Sequence, residues 1–193
     1  MIICLFQISF LVSAGIPVEL GPAGRIVFPF SDPPEVIQNP DDFNGIFSSD
    51  GPVFLAGAAV RIHLIPSIPV EVSGLFGRYD PYFEYSDEYP DNSEIEFCSG
   101  SLTILSLGFQ KELGEMVLSA GSDLCLYHET WMEMDSTSYG GYHREAGSTA
   151  FAPFAGVGIH ADLNTLELDF NIRVHFPDLN DRWLSAGCSL LFF

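Results

Sequence analysis

Between Leu166 and Phe176 the chain alternates without a break. Leu166, Leu168, Phe170, Ile172, Val174 and Phe176 take the even positions, and Glu167, Asp169, Asn171, Arg173 and His175 take the odd ones. A helix would mix the two sets on its surface, whereas a strand sends them to opposite faces. The same period recurs along the chain in weaker form. Leu20, Ile26 and Phe28 oppose Glu19 and Arg25; Val60, Ile62 and Leu64 oppose Arg61 and His63; Val70 and Val72 oppose Glu71 and Ser73. Leu118, Ala120, Leu124 and Leu126 oppose Ser119, Gly121 and Asp123; Phe151, Ala155, Val157 and Ile159 oppose Gly156, Gly158 and His160. Near the end, Leu184, Ala186, Cys188, Leu190 and Phe192 oppose Ser185, Gly187 and Ser189. In Ile95–Lys111, Leu102 and Ile104 have the wrong parity for Leu105, Leu107 and Phe109, which predicts a β-bulge near Ile104–Leu105. The total is eight strands.

The connections between them alternate in length. Pro66–Pro69, Glu112–Glu115 and Asp162–Thr165 are short and rich in turn-forming residues. Phe30–Gly51, Asp80–Glu94 and His128–Ser148 are long, and Pro177–Arg182 is shorter but polar. In an up-and-down meander, alternate connections share one end of the sheet. One end is therefore expected to carry tight turns and the other to carry loops.

Charge follows the same division. The chain has 26 acidic residues against 7 basic ones, a formal net charge of −19, yet 47% of it is hydrophobic. So acidic a chain lacks the clustered Lys and Arg that bind phosphates, so nucleic acid is not an expected partner. Its apolar and aromatic content is too high for disorder, and its length suits one domain. Of the acids, 17 fall in the four connections at the loop end, with Arg144 and Arg182 the only bases there. The strands are nearly balanced, and Glu19, Arg25, Arg61, Glu71, Asp123, Glu167, Asp169 and Arg173 lie on the face that also carries Gly57, Gly77, Gly121, Gly156, Gly158 and Gly187.

Two architectures bury eight alternating strands. A soluble, lipocalin-like barrel turns its apolar face inward around a hydrophobic ligand; a membrane barrel turns it outward to lipid and keeps a polar lumen. Glycines beside long charged side chains suit a narrow interior better than a solvated surface. The expected fold is thus all-β, an eight-stranded antiparallel up-and-down transmembrane barrel. Its lumen would hold a structural charge network of Arg25, Arg61, His63, Glu71, Asp123, Glu167, Asp169, Arg173 and His175. Phe28, Phe30, Tyr79, Tyr82, Tyr127, Trp131 and Trp183, where strands meet the loop end, are expected to form an interfacial aromatic girdle.

Residues 1–14 are apolar and uncharged and end in Val12-Ser13-Ala14, the small-residue pattern of a secretory signal peptide, although they lack a basic residue. The expected division is a signal peptide at 1–14 and one barrel domain at 15–193; a buried first strand or helix is the other reading of 1–14. Cys98, Cys125 and Cys188 are an odd number without CxxC spacing and read as packing residues.

Two segments carry a family likeness. Ala152-Pro153-Phe154-Ala155-Gly156-Val157-Gly158-Ile159-His160 resembles the Pro-aromatic-x-Gly-x-Gly strand of the small eight-stranded bacterial outer-membrane barrels, the outer membrane protein A, X and W type. The closing Leu184–Phe193 resembles the C-terminal strand that such barrels show to their assembly machinery, ending on Phe193. In the family, apolar residues alternate back from the last Phe; here that count meets Ser189, Gly187 and Ser185, and the apolar set keeps step with Phe192 instead. The resemblance implies a bacterial outer-membrane location, outer-membrane lipids and lipopolysaccharide as partners, and engagement of the barrel-assembly machinery through Phe193.

Signals for chemistry are few. The five histidines show no HxxxH or HExxH spacing, and neither a G-x-S-x-G nor a phosphate-binding glycine loop is present. No cofactor is expected. His128, Glu129 and Ser136 make a catalytic triad on paper, as a lipid-modifying barrel enzyme would need. Asp80–Glu94 offers carboxylates to divalent cations but no EF-hand pattern. The expected function is a non-enzymatic barrel with a charge-plugged lumen and acidic extracellular loops, in a structural or surface-interaction role. A secreted binder of hydrophobic ligands and a lipid-modifying enzyme are the alternatives.

Overall fold

The computed structural model describes residues 15–29, 51–65, 68–79, 93–135, 140–163, 165–176 and 182–192. The expected signal peptide, most of the first two long connections, Ser136 and Phe193 lie outside these. Among the described residues every regular element is a β-strand: β1 (Val18–Pro29), β2 (Val53–Ile65), β3 (Ile68–Tyr79), β4 (Ser93–Leu113), β5 (Met116–Asp135), β6 (Gly140–Asp162), β7 (Leu166–His175) and β8 (Trp183–Phe192). Each pairs antiparallel with the next, and β8 pairs with β1 to close a barrel. Closure leaves no sheet edge around the ring.

The register fixes the barrel's girth. From Glu19, cross-strand partners run through Arg61, Glu71, Gly108, Gly121, Phe154, His175 and Trp183, and return to β1 at Pro29, ten residues further along. Eight strands with that stagger enclose a space just wide enough for side chains to fill. At the short-turn end, Gly114 holds φ at 71° between Leu113 and Met116. That left-handed conformation is what favoured two-residue hairpin turns require, and glycine adopts it without a Cβ clash.

Alternation sorts the side chains as the period-two pattern predicts. Phe54, Phe76, Leu107, Phe151, Phe170 and Phe192 all stand exposed on the outer face of their strands, while Arg25, Arg61, Glu71, Asp123, Asp169 and Arg173 are buried inside. Phe170 and Ile172 are 49% and 51% exposed, whereas Asp169 and Arg173, their neighbours in the chain, are 4% and 2% exposed. The inward-apolar arrangement of a soluble ligand-binding barrel is therefore not the one adopted.

Three expectations are corrected. There is no bulge at Ile104–Leu105: β3–β4 pairing runs unshifted from Val70↔Phe109 to Tyr79↔Gly100. Leu102 and Ile104 point into the lumen, fully buried, because the lumen has an apolar layer there with Val27, Val53, Leu55 and Leu75. The register shifts that do occur lie near strand ends, at Ile62/Ile65 and Ile95/Phe97. Secondly, His128–Ser148 is not one long loop. The β5–β6 ladder continues to Asp135↔Gly140, and β4 pairs with β5 as far as Ser93↔Asp135. These three strands of 20 to 23 residues outrun β7 and β8, of 10 residues each, and project as a sheet from the loop end. Thirdly, Tyr79, Tyr127 and Trp183 share the parity of the lumen set and are buried inside, so they form no girdle; Phe28 alone of the described members is exposed on the outer face. Phe30 and Tyr82 lie outside the described residues, as does the side chain of Trp131.

Candidate functional site

The lumen is stacked in layers. At the short-turn end Arg61, on β2, is 1% exposed and lies among four carboxylates. Glu19 and Glu71 come from the flanking strands, at 3.3 and 3.8 Å. Glu167 and Asp169 reach Arg61 from β7 across the lumen and pair with its two terminal nitrogens. His63 Nε2 stands 2.6 Å from the other oxygen of Glu19.

One level up, Arg173 Nη2 donates to Glu71 Oε1 at 2.7 Å, and Gln110 Nε2 donates to Glu71 Oε2 at 2.7 Å. The Arg173 guanidinium lies 4.5 Å above the centre of the Phe154 ring, a cation–π contact. The Cζ end of that ring lies over two glycines of the wall. A Cβ on Gly121 would come within 2.8 Å of Phe154 Cζ and one on Gly108 within 2.9 Å, closer than real Cβ contacts allow.

Above this, Arg25 Nη1 donates to Asp123 Oδ2 at 2.7 Å and Nη2 to Ser106 Oγ at 3.1 Å; the Ser106 hydroxyl donates in turn to Asp123 Oδ1. His175 Nδ1 stands 3.3 Å from Asp123, and its Nε2 is 2.8 Å from Ser185 Oγ. The His175 ring packs against Trp183, centroids 4.6 Å apart. Trp183 belongs to the apolar layer with Leu102, Ile104, Tyr127 and Ala152, which spans the lumen toward the loop end. Beyond it the Tyr79 hydroxyl donates to Glu129.

All nine residues expected in the lumen network thus face inward, in two groups: Arg61, His63, Glu71, Glu167, Asp169 and Arg173 below, and Arg25, Asp123 and His175 above. Sequence reasoning left out Glu19, Ser106, Gln110 and Ser185 as partners, and the Tyr79–Glu129 pair. Glu19 and Ser185 carried a usable signal, since both sit at lumen parity in their strands.

The paper triad does not assemble. His128 is exposed on the outer face of β5, and Glu129, next along the strand, is 2% exposed on the inner face. Ser136 lies outside the described residues. Of the cysteines, Cys125 packs in the apolar layer, while Cys188 is exposed on the outer face. Of Asp80–Glu94, whose carboxylates are available to divalent cations, residues 80–92 also lie outside the described residues.

No protein-family model and no curated protein matches the chain. Among solved structures, Neisserial surface protein A is similar over 91% of this chain and 96% of its own, at 14% identity and a TM-score of 0.48. Ail, the attachment invasion locus protein of Yersinia pestis, is similar over 91% and 95%, at 13% identity and 0.45. The N-terminal β-barrel domain of Pseudomonas aeruginosa OprF is similar over 90% and 97%, at 12% identity and 0.44. All three are eight-stranded outer-membrane β-barrels.

Proposed function

We propose that this chain is a non-enzymatic barrel of the bacterial outer membrane, its lumen plugged by paired charges, acting as a structural or surface-interaction protein through its acidic loop end. The observation that carries this is the inside-out distribution of side chains. Large apolar residues stand exposed on every strand, and the described charged residues of the outer face sit toward strand ends, Arg78 and Lys111, or on the projecting sheet, Glu145. A water-soluble monomer rarely exposes more than a few hundred Å² of continuous apolar surface. Strands of 10 to 13 residues in β1, β2, β3, β7 and β8 match the 9–11 that cross a bilayer at a tilt.

In this reading the short turns face the periplasm. The loop end, with the β4–β6 projection and most of the acidic surplus, faces outward toward lipopolysaccharide and the divalent cations that bridge it. Assembly would proceed through the C-terminal strand. The apolar layer and the paired arginines leave no wide path for solutes.

The reading is tested by electrophoresis of the membrane-extracted chain with and without boiling in SDS. A folded barrel is expected to migrate differently from the boiled chain and to need detergent throughout purification. Equal mobility together with solubility in plain buffer overturns it. Orientation is read by epitopes inserted at Gly114 and within 80–92: only the second should be reached by antibody on intact cells.

A further inference from the structure

Among the described residues, charge at the short-turn end of the lumen does not balance. Glu19, Glu71, Glu167 and Asp169 are four carboxylates, and the guanidinium groups in ion-pair contact with them are those of Arg61 and Arg173. Unpaired charge in so enclosed a place is costly, and such charges are normally paired or bind a metal. His63 serves Glu19 on one side of Arg61. On the other side Glu167 and Asp169 meet a different histidine.

His160 on β6 is the direct cross-strand partner of Asp169 on β7, and Asp169 is in turn that of Ser189 on β8. One ligand atom each from His160, Glu167 and Asp169 lie within 4.8 Å of one another. Within this set His160 Nδ1 is buried without a hydrogen-bond partner, and so is the Oγ of Ser189, the 5%-exposed cross-strand neighbour of Asp169. A buried polar atom without a partner calls for an explanation, a bound ion among them. A carboxylate has about four lone-pair sites, so pairing with Arg61 leaves Glu167 and Asp169 free to accept more.

We propose that His160, Glu167 and Asp169 form a binding site for a divalent first-row transition metal, zinc above all, at the short-turn mouth of the lumen. One imidazole nitrogen with two carboxylate oxygens suits zinc, which takes both donor types at about 2.0–2.2 Å, better than calcium, which takes oxygen alone. Closing the three ligands onto an ion needs side-chain adjustment of about 1 Å. The ion's two positive charges cancel the local surplus. His160 is only partly buried and lies close to the Asp162–Leu166 turn, so the ion enters from that end. The site belongs to the lumen and does not depend on what surrounds the barrel's outer face.

The test uses the full chain folded in detergent and dialysed against zinc in excess calcium, which occupies all-oxygen acidic sites. One tightly held zinc per chain is expected by atomic absorption. His160→Ala should weaken it by about a hundredfold or more, since loss of even an outer partner costs 10–100-fold; His128→Ala, on the outer face, should retain it. A chain that holds no zinc, or a folded His160→Ala variant that holds as much as the parent, overturns the proposal. Should that variant not fold, the parent chain decides: zinc must protect His160, and not His128, from diethylpyrocarbonate as read by peptide mass spectrometry, and equal modification with and without zinc overturns it.

Discussion

Arg25 and Asp123 meet at 2.7 Å although 98 residues separate them in the chain. Their side chains are 4% and 0% exposed, and the second oxygen of Asp123 accepts the Ser106 hydroxyl. Removing one member leaves the other charged and enclosed. Asp123→Leu is therefore expected to cost about 3–5 kcal/mol, while the double variant Arg25→Met with Asp123→Leu recovers most of that, because a buried pair replaced by apolar groups is often neutral. Urea titration of the detergent-folded chain, followed by tryptophan fluorescence, measures both.

Gly108 exists to seat Phe154. A methyl there would stand 2.9 Å from Phe154 Cζ, with the nearest backbone atom at 3.5 Å, so the ring is the main obstacle. Gly108→Ala is expected to cost about 1–3 kcal/mol, as overpacking does. Phe154→Leu in the same chain should relieve the clash, giving a coupling energy of the opposite sign to the single effects. Additive losses would show that the ring is not what Gly108 accommodates.

How much of this was legible depended on whether parity and polarity agreed. In Leu166–His175 they agree at every position, and each side chain faces as the pattern predicts. Leu102 and Ile104 break the agreement because the lumen is not polar throughout. An apolar layer needs apolar residues at lumen parity, which a polarity pattern reads as a register slip. The β5–β6 extension was illegible for a related reason: its ladder runs from Tyr127↔Ser148 to Asp135↔Gly140, and on the β6 side Gly140, Gly141, His143, Arg144, Glu145, Gly147 and Ser148 give no apolar period. Partners of Arg61 divide likewise. Glu19 and Glu71 are its register neighbours, whereas Glu167 and Asp169 reach it across the lumen, which depends on the stagger of the closed barrel.

The layered lumen predicts conductance. If the lumen is plugged as proposed, Arg61 closes the short-turn end, and the packed cluster of Leu102, Ile104, Tyr127 and Trp183 closes the other independently. In planar bilayers the parent chain is expected to show no open-channel steps, and Arg61→Ala should remain closed because the apolar layer still excludes ions. Shaving that layer instead, with Leu102→Ser and Ile104→Ser together with Arg61→Ala, should give measurable steps. Conductance from Arg61→Ala alone would place the barrier in the charged layer only.

Phe170 and Cys188 are cross-strand partners on the outer face, halfway along the 10-residue strands β7 and β8. Both are exposed in the isolated chain, and in a bilayer both would lie near its midplane. Phe170→Arg is then expected to cost about 2–4 kcal/mol in lipid vesicles, and Phe176→Arg, beyond the end of β7, about 0–1 kcal/mol, since the penalty falls with distance from the midplane. A fluorophore on Cys188, with Cys4 and Cys98 replaced by Ser, should be quenched by lipids brominated deep in their chains and little by aqueous iodide. Cys125, enclosed in the apolar layer, should label only after unfolding. An equal or favourable effect of arginine at Phe170, with iodide quenching at Cys188, would mean that the apolar belt meets water or a protein partner rather than lipid.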